Sequence, residues 1–600
     1  MAKPWFDEPA ERAHVPLYDY ITSLVARQLY RDRECVTNMG LYEDREVMGL
    51  APGMFAKPPT GNKKRRSLNV TGALVDTAVN NISQTKPLAM ALTEGGNWAQ
   101  QAKAKRMNKF LEGMYYSLGI FPTMQMGALD MGWGGTGIVY VDREGKKPIV
   151  ERVFPTELIV DDELSTVGDP YEMTRRKYLP KAKVKRMVAK RHWAAIDKAK
   201  PLNLFGTKNS TQQADLIAVY TTWRLPLDEK TPGKKITFIE GATLDCQPYK
   251  RDYFPFVFMR WRAQPVGFWG RGIPSLCESL QEEVNRTFRN ISRATALAVP
   301  RLLLPRESGI NIEHLTNEIG SGLWHANGAP PSWLQGRMIP AEGPQHLQFT
   351  IAQMYQLAGI SELAAGMKKP AGLNSGEAQR VYADTQANRF ALPSQQYENA
   401  SVEISKRLIG VAQDIAEEFG DYEVLTHTTN GFQRIPWSEI DLSEDEYTLK
   451  LWPINFLSKS PADMIDQIRE LIGMQLLNKK QAKKLVQFPD LEGVLTQDNA
   501  SEDLTQKIIE EILEHDNYIA PDPAMDPGCV QTVQLARLHY MTIGVPQSKL
   551  DMMDDWVANA AMLWPAAPGP QVGPLGAPTM PPGMMPGAGP MPAPMPSMPV

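Results

Sequence analysis

Between Ile273 and Val299, apolar residues recur at Ile273, Leu276, Leu280, Val284, Phe288, Ile291 and Ala298. This is close to the 3.6-residue period of a helix with one buried face. Arg286, Arg289 and Arg293 fall on the opposite face, at i, i+3 and i+7. Pro274 in the first turn and Pro300 at the end occupy positions that a helix allows to proline. At about 1.5 Å per residue the rod is roughly 40 Å long, comparable to the diameter of a small domain.

The same stretch continues to Phe419 as insert, helix, loop and helix. A second helix is predicted over Gln348–Ala364, with Phe349, Ile351, Ala352, Tyr355 and Ile360 among its apolar residues. Gly366 to Gly376 follows, with glycines at 366, 372 and 376, Pro370, and the pair Lys368 and Lys369, which makes a mobile, basic loop. Ser375 is placed to cap a long polar helix from Gly376 to Phe419, interrupted near Pro393. Between the two rods, Arg301-Leu302-Leu303-Leu304-Pro305 opens a compact insert. Gly309, Gly320, Gly322, Gly328, Pro330, Pro331, Gly336 and Pro340 punctuate it like turns between short strands.

The chain is long enough for several domains, with 600 residues, 43% hydrophobic and 22% charged. A net charge of −4 gives no global argument for nucleic-acid binding, so any such contact must be local. Cys35, Cys246, Cys277 and Cys529 have no CxxC spacing, against a disulfide scaffold or a zinc site. No apolar leader opens the chain, and no uninterrupted apolar run of about 18 residues occurs. A soluble, intracellularly made protein with no transmembrane helix is expected.

From the N-terminus, His14–Arg33 reads as an amphipathic helix, followed by a loop holding the basic run Lys63-Lys64-Arg65-Arg66. That run is read as solvated rather than as a localisation or phosphate patch. Helices are expected over Leu68–Ser83, stopped at Lys86-Pro87, and through Trp98–Met131. Ile138–Val141, Pro148–Val153, Glu157–Asp161, Leu216–Trp223, Lys235–Glu240 and Tyr253–Trp261 read as strands. Thr174–Lys200 is dense in Lys and Arg, and reads as an exposed helix with a solvated basic face, with a partner or DNA patch as the lesser reading. Strand character returns at Tyr422–His427 and Tyr447–Trp452. Helices then follow near Met464–Leu477, Ser501–His515, Val530–Met541 and, shorter, Met552–Met562, the first capped by Ser460-Pro461-Ala462-Asp463. Pro565–Val600 is almost wholly Pro, Met, Gly and Ala, a composition expected to be disordered.

Catalytic motifs do not emerge. Gly132-Trp133-Gly134-Gly135-Thr136-Gly137 fits GxGxxG, but with a helix before it and a strand after, the reverse of a dinucleotide site. It reads as a helix-to-strand turn. HExxH, GxSxG and a Walker loop are missing, and the eight histidines lack metal-ligand spacing. Asp161-Asp162-Glu163 suits a cation or, equally, an acidic turn at a strand end. No catalytic residues, metal or cofactor are assigned.

The order of features resembles the portal, or head-to-tail connector, proteins of tailed bacteriophages. The likeness runs from about Tyr18 to His515. It rests on Leu68-Asn69-Val70-Thr71 through Pro87, on Phe154-Pro155-Thr156-Glu157-Leu158-Ile159-Val160-Asp161, and on Phe254-Pro255-Phe256-Val257. Gly270-Arg271-Gly272-Ile273-Pro274 follows, then the long helix ending at Pro300-Arg301-Leu302-Leu303-Leu304-Pro305, and the Gly366–Gly376 loop. The Pro/Met-rich tail departs from it. The resemblance implies an α+β multidomain chain: N-terminal region and α/β wing at 1–270, first stem helix at 271–299, small α/β clip at 300–345, second stem helix at 346–365. It further implies a tunnel loop at 366–376, a long helix and return to the wing at 377–458, a helical crown at 459–564 and the tail at 565–600.

The resemblance also implies a non-enzymatic ring, usually of twelve subunits, at one capsid vertex of the virion, assembled in the host cytoplasm. Such rings conduct double-stranded DNA during packaging and ejection. They dock terminase and then tail adaptor proteins, beside the major capsid and scaffolding proteins. Lys368, Lys369, Asn374 and Ser375 would belong to the tunnel loop, and Arg286, Arg289 and Arg293 to a stem face that lines the channel or is simply solvated. Repeated around a ring, such lysines give weak, salt-sensitive phosphate contacts. Another virion structural protein, internal or in the tail, is the alternative; a viral nucleic-acid-processing enzyme is the third reading.

Overall fold

The stretch Thr136–Glu144 carries apolar side chains on both faces, Ile138 and Tyr140 on one and Val139 and Val141 on the other. A strand of that kind needs a covering layer on each side. A computed structural model describes residues 5–45, 47, 50, 67–93, 98–165, 170–201, 215–227, 232–298, 301–304, 332–334, 342–360, 390–428, 431–440, 447–451, 473 and 500–564. The protein is mixed α+β and divides into two compact units, 1–477 and 478–600.

The first unit opens with helices α1 (His14–Arg27), α2 (Leu29–Glu43) and α3 (Val70–Ser83), then strand β1 (Ala89–Leu92) and helices α4 (Trp98–Ser117) and α5 (Ile120–Gly134). Strands β2 (Thr136–Glu144), β3 (Lys147–Val153), β4 (Leu158–Val160) and β5 (Glu172–Pro180) follow, and then short helices α6 (Lys181–Met187) and α7 (Trp193–Lys198). Next come β6 (Leu216–Arg224), β7 (Gly233–Ile239), β8 (Ala242–Tyr249) and β9 (Phe256–Arg260). The long helix α8 (Ile273–Leu297), strands β10 (Arg301–Leu303) and β11 (Ser332–Leu334), and helices α9 (Glu342–Ala358) and α10 (Ala391–Phe419) come after them. Strands β12 (Glu423–Thr428), β13 (Gly431–Pro436) and β14 (Thr448–Leu451) complete the strands described in this unit.

Two antiparallel sheets stack at its centre. One has the order β3-β2-β9 and the other β4-β5-β6-β7-β8. Val139, Val141, Val257 and Met259 face a core built with helices α3, α5 and α10, including Leu74, Met124, Ile404 and Leu408. Ile138, Tyr140, Phe256 and Phe258, from the opposite face, pack on Leu158, Val160, Met173 and Trp223 of the five-stranded sheet. The outer side of that sheet is covered by α1 through Leu17, Ile21 and Leu24, against Ile159, Ile236 and Phe238. At the end of the same sheet, Val184 of α6 and Ile196 of α7 close on Ile217, Val219, Ile239 and Leu244. Helix α4 is fixed to α10 where the Tyr115 hydroxyl donates to the Ser401 carbonyl at 2.8 Å.

The second unit holds α11 (Ala500–His515), α12 (Cys529–Ile543) and α13 (Gln547–Leu563), with Ile508, Ile512, Val533, Met553 and Trp556 buried. Lys549 Nζ donates to the Leu513 carbonyl at 2.5 Å, joining α13 to the end of α11. The division at 477 and 478 falls inside the region 459–564 that the sequence reading treats as one crown.

Several elements differ from the sequence reading. The helix read over His14–Arg33 is two helices broken at Gln28, whose amide donates to the Val160 carbonyl, and the second of them runs on to Glu43. Thr174–Pro180, read with the basic helix, is most of strand β5. Arg175 and Lys177 there meet Glu151 at 3.1 and 2.8 Å, so they belong to a packed charge network and not to a solvated face. Helix α9 begins at Glu342, inside the range assigned to the clip, because Pro344 falls in its first turn, where no backbone donor is needed. It ends at Ala358 and not Ala364: Gly359 takes φ +76°, and Ile360 N donates back to the Tyr355 carbonyl at 3.0 Å. Pro393 sits in the first turn of the described part of α10, which starts at Ala391, and does not interrupt it. Helix α13 starts five residues before Met552. Strands β1, β8 and β13 had no strand assigned in the sequence reading. The regions 62–66, 366–389, 452–472 and 565–600 lie outside the described residues.

Candidate functional site

Helix α8 starts inside the core and leaves it. Ile273, Cys277, Gln281 and Val284 are buried, but no residue from 285 to 298 is. The apolar period continues through Phe288 and Ile291 to Leu297, which is 65% exposed. Helix α9 runs back alongside. His346 Nε2 lies 3.5 Å from Glu283, a Cβ placed on Gly343 would meet Ile291 at 3.7 Å, and Met354 and Ala358 return to the core. Beyond the rods, β10 and β11 pair antiparallel from Arg301–Leu334 to Leu303–Ser332, so the insert leaves and re-enters through one two-stranded neck. The pair therefore forms a stalk, with Phe349 61% and Leu357 50% exposed on its surface.

The root of the stalk is built from polar side chains that the apolar period did not flag. Gln281, 2% exposed, accepts from Val70 N at 3.2 Å, Thr71 N at 3.0 Å and Thr71 Oγ1 at 2.9 Å, and its Nε2 donates to the Leu68 carbonyl at 2.7 Å. One turn on, Asn285 Oδ1 accepts from Leu68 N at 3.0 Å. These bonds satisfy the open N-terminal amides of α3, which Asn69 also caps through Gly72 N at 2.8 Å. Asn38 Nδ2 of α2 donates to Ser275 Oγ at 2.8 Å. The bonds of Gln281 to Val70 and Thr71 and of Asn38 to Ser275 are buried, so each of these replaces a desolvation penalty.

The glycine-rich turn after α5 is the other half of the root. Gly135 takes φ +84°, and a Cβ on Gly272 would stand 2.7 Å from the Trp133 carbonyl oxygen and 2.9 Å from Gly135 N. Gly270 N donates to Thr136 Oγ1 at 2.8 Å, and Trp261 N to the Gly135 carbonyl at 3.0 Å. Backbone lies directly on backbone here. The glycines of the 132–137 motif thus hold the start of α8 in a helix-to-strand turn, in the order opposite to that of a dinucleotide site.

The arginine edge of α8 is partly committed. Arg286 is bonded to Glu283, three residues before it on the same helix. Desolvation, which raises a carboxyl, is outweighed at Glu283 by the hydrogen bonds from Arg286 and Thr287, so that carboxyl sits below its ordinary value. Arg289 Nε donates to the Asn285 carbonyl at 2.9 Å. Arg286 and Arg293 are exposed, and Arg289 is half-buried. The structure thus brings these three arginines onto the stalk. Lys368, Lys369, Asn374 and Ser375 lie outside the described residues.

Elsewhere, burial pushes the Cys35 and Cys277 thiols up to about 11, which keeps them protonated. Among the described residues no group of three or more His, Cys, Asp and Glu side chains is placed to hold a metal ion, and no helix is long and apolar enough to cross a membrane. The 161–163 carboxylates have local partners: Asp161 Oδ1 accepts from Glu163 N at 3.0 Å, Asp162 Oδ1 from Phe268 N at 3.3 Å, and Glu163 meets Arg27 at 3.2 Å. No protein-family model matches the chain, and no curated protein matches it in sequence.

Proposed function

We propose that this chain is the subunit of a viral portal, a ring at one capsid vertex through which double-stranded DNA is packaged and later released. The observation that carries the reading is the stalk. Two helices are rooted in the core by Gln281 and Met354, stand clear of it beyond Val284, and enclose an insert closed by one β-pair. Such a stalk exposes Leu297, Phe349 and Leu357, apolar side chains that a neighbouring copy would cover. Arg286 and Arg293 add exposed positive charge along one edge.

On this reading α8 and α9 are the stem, and the insert between β10 and β11 is the clip that meets terminase and then a tail adaptor. The loop carrying Lys368 and Lys369 faces the duplex. The layered body is the wing, set against capsid and scaffolding proteins, and α11 to α13 belong to the crown. The protein acts by assembly and charge, without catalysis.

Electron microscopy of the purified protein tests the proposal. Rings with a central hole wide enough for a duplex are expected. Monodisperse monomers under all assembly conditions overturn it. Rings that fail to bind terminase favour another virion component.

A further inference from the structure

The stalk leaves one feature of the sequence unused, the basic segment at the end of the five-stranded sheet. From Lys181 to Lys200 there are eight lysines and arginines and one acid, a local charge of +7 on a chain whose total is −4; the other 580 residues therefore carry −11. The segment is held in place by apolar contacts. Val184 and Ile196 are buried against the sheet, so α6 and α7 turn their other sides outward. Three cations are neutralised: Lys185 by Asp197 at 2.6 Å, Lys200 by Glu240 at 3.5 Å and Lys181 by Asp215 at 3.9 Å. Lys183, Arg186, Lys190, Arg191 and Lys198 are exposed and have no carboxylate partner among the described residues. Trp193 is fixed by its indole N–H to the Lys185 carbonyl at 3.1 Å, and it remains 39% exposed among these charges.

We propose that this α6–α7 cap is a binding surface for the phosphate backbone of nucleic acid, separate from the stalk. Five uncompensated cations in a single 20-residue cap, on an otherwise acidic chain, favour a polyanion. A protein partner draws its affinity from a buried apolar or aromatic anchor. This surface instead offers repeated charge and one fixed indole, which gives an aromatic face for contact without base-specific readout. Repeated phosphate contacts make the binding insensitive to sequence and steeply dependent on salt. The inference does not rest on the ring: it holds for any assembly state of the chain.

The test is binding of the full-length protein to a labelled 30-base-pair duplex across a salt series, followed by fluorescence anisotropy. Combined Lys183→Ala, Arg186→Ala, Lys190→Ala and Arg191→Ala substitution should weaken binding at least tenfold and lower the salt slope by about 3.6, at about 0.9 per lost phosphate contact. The charge-keeping set Lys183→Arg, Arg186→Lys, Lys190→Arg and Arg191→Lys should bind like the parent. On the unaltered protein, bound duplex should protect Lys183, Lys190 and Lys198 from acetylation. Unchanged affinity and slope in the alanine variant, or no protection of these lysines, overturns the proposal. Binding of polyglutamate in place of duplex also overturns it and gives the surface to an acidic protein segment.

Discussion

Gln281 and Thr71 meet in the core with the Gln281 carbonyl oxygen 2.9 Å from the Thr71 hydroxyl and 3.0 Å from its backbone nitrogen. One side chain of the long helix thus serves as the N-terminal cap of another helix 210 residues earlier in the chain. Replacing Gln281 with Leu leaves the buried amide and hydroxyl of Thr71 without that acceptor, while the Val70 amide and the Leu68 carbonyl lose one bond each and keep each other at 3.0 Å. At about 1–3 kcal/mol for each buried group left unpaired, Gln281→Leu should lose roughly 3 kcal/mol. Urea unfolding measures it. A loss below about 0.5 kcal/mol, the level of a surface change, shows that the stalk is not rooted there.

Gly272→Ala tests the other half of the root. Its Cβ would press on the Trp133 carbonyl and Gly135 N, which are backbone atoms and cannot rotate away. Overpacking of this sort costs about 1–3 kcal/mol, and the upper end is expected here. The same measurement checks it, with Gly241→Ala, which meets open space, as the control.

Acid sensitivity should centre on the charge network between the sheets. Asp142 is pushed upward by burial, but Lys235 at 2.7 Å, the Tyr140 hydroxyl at 2.7 Å and Arg143 N at 2.9 Å outweigh it and hold its carboxyl below the ordinary 3.8. A depressed carboxyl contributes stability above its unfolded value and loses it as pH falls through the folded one. Asp142→Asn should therefore be less stable than the parent at pH 7, where Lys235 is left unpaired. The difference should narrow as pH falls below 3.8. Equal urea midpoints at pH 7 rule this out.

Replacing Lys368 and Lys369 with Ala should leave the assembled state unchanged by light scattering and alter DNA packaging or retention. If the substitution abolishes assembly instead, the loop is structural and the channel assignment is wrong.

Removing 565–600 should shift the melting temperature by less than about 2 °C, since a Pro, Met, Gly and Ala tract without charge has little with which to build a core. A larger fall on scanning calorimetry means that the tail is docked.

Periodicity carried the sequence reading where one face does one job. The first rod and α3 each match the sequence reading to within two residues at one end, and α11 to within one, because apolar spacing and proline or asparagine punctuation agree there. It failed where polar residues are interior. Arg175 and Lys177 read as solvated, yet one carboxylate, Glu151, 24 and 26 residues upstream of them, pairs with both across the stacked sheets. Gln281 broke the apolar stripe without any local sign that it caps a distant helix. Strand β1 was missed because four residues, Ala89–Leu92, become a strand only by pairing with β14, far downstream. The α8 arginines are legible as an edge, but the Arg286–Glu283 pair is not, since side-chain geometry sets it.

The glycine joint at the base of the long helix has a mechanical corollary. Where main chain rests on main chain there is no compressible side chain between lever and plinth. A push on the outer end of the rod therefore has one route into the β2 sheet that runs through main chain alone, beside the softer route through Gln281 and its neighbours.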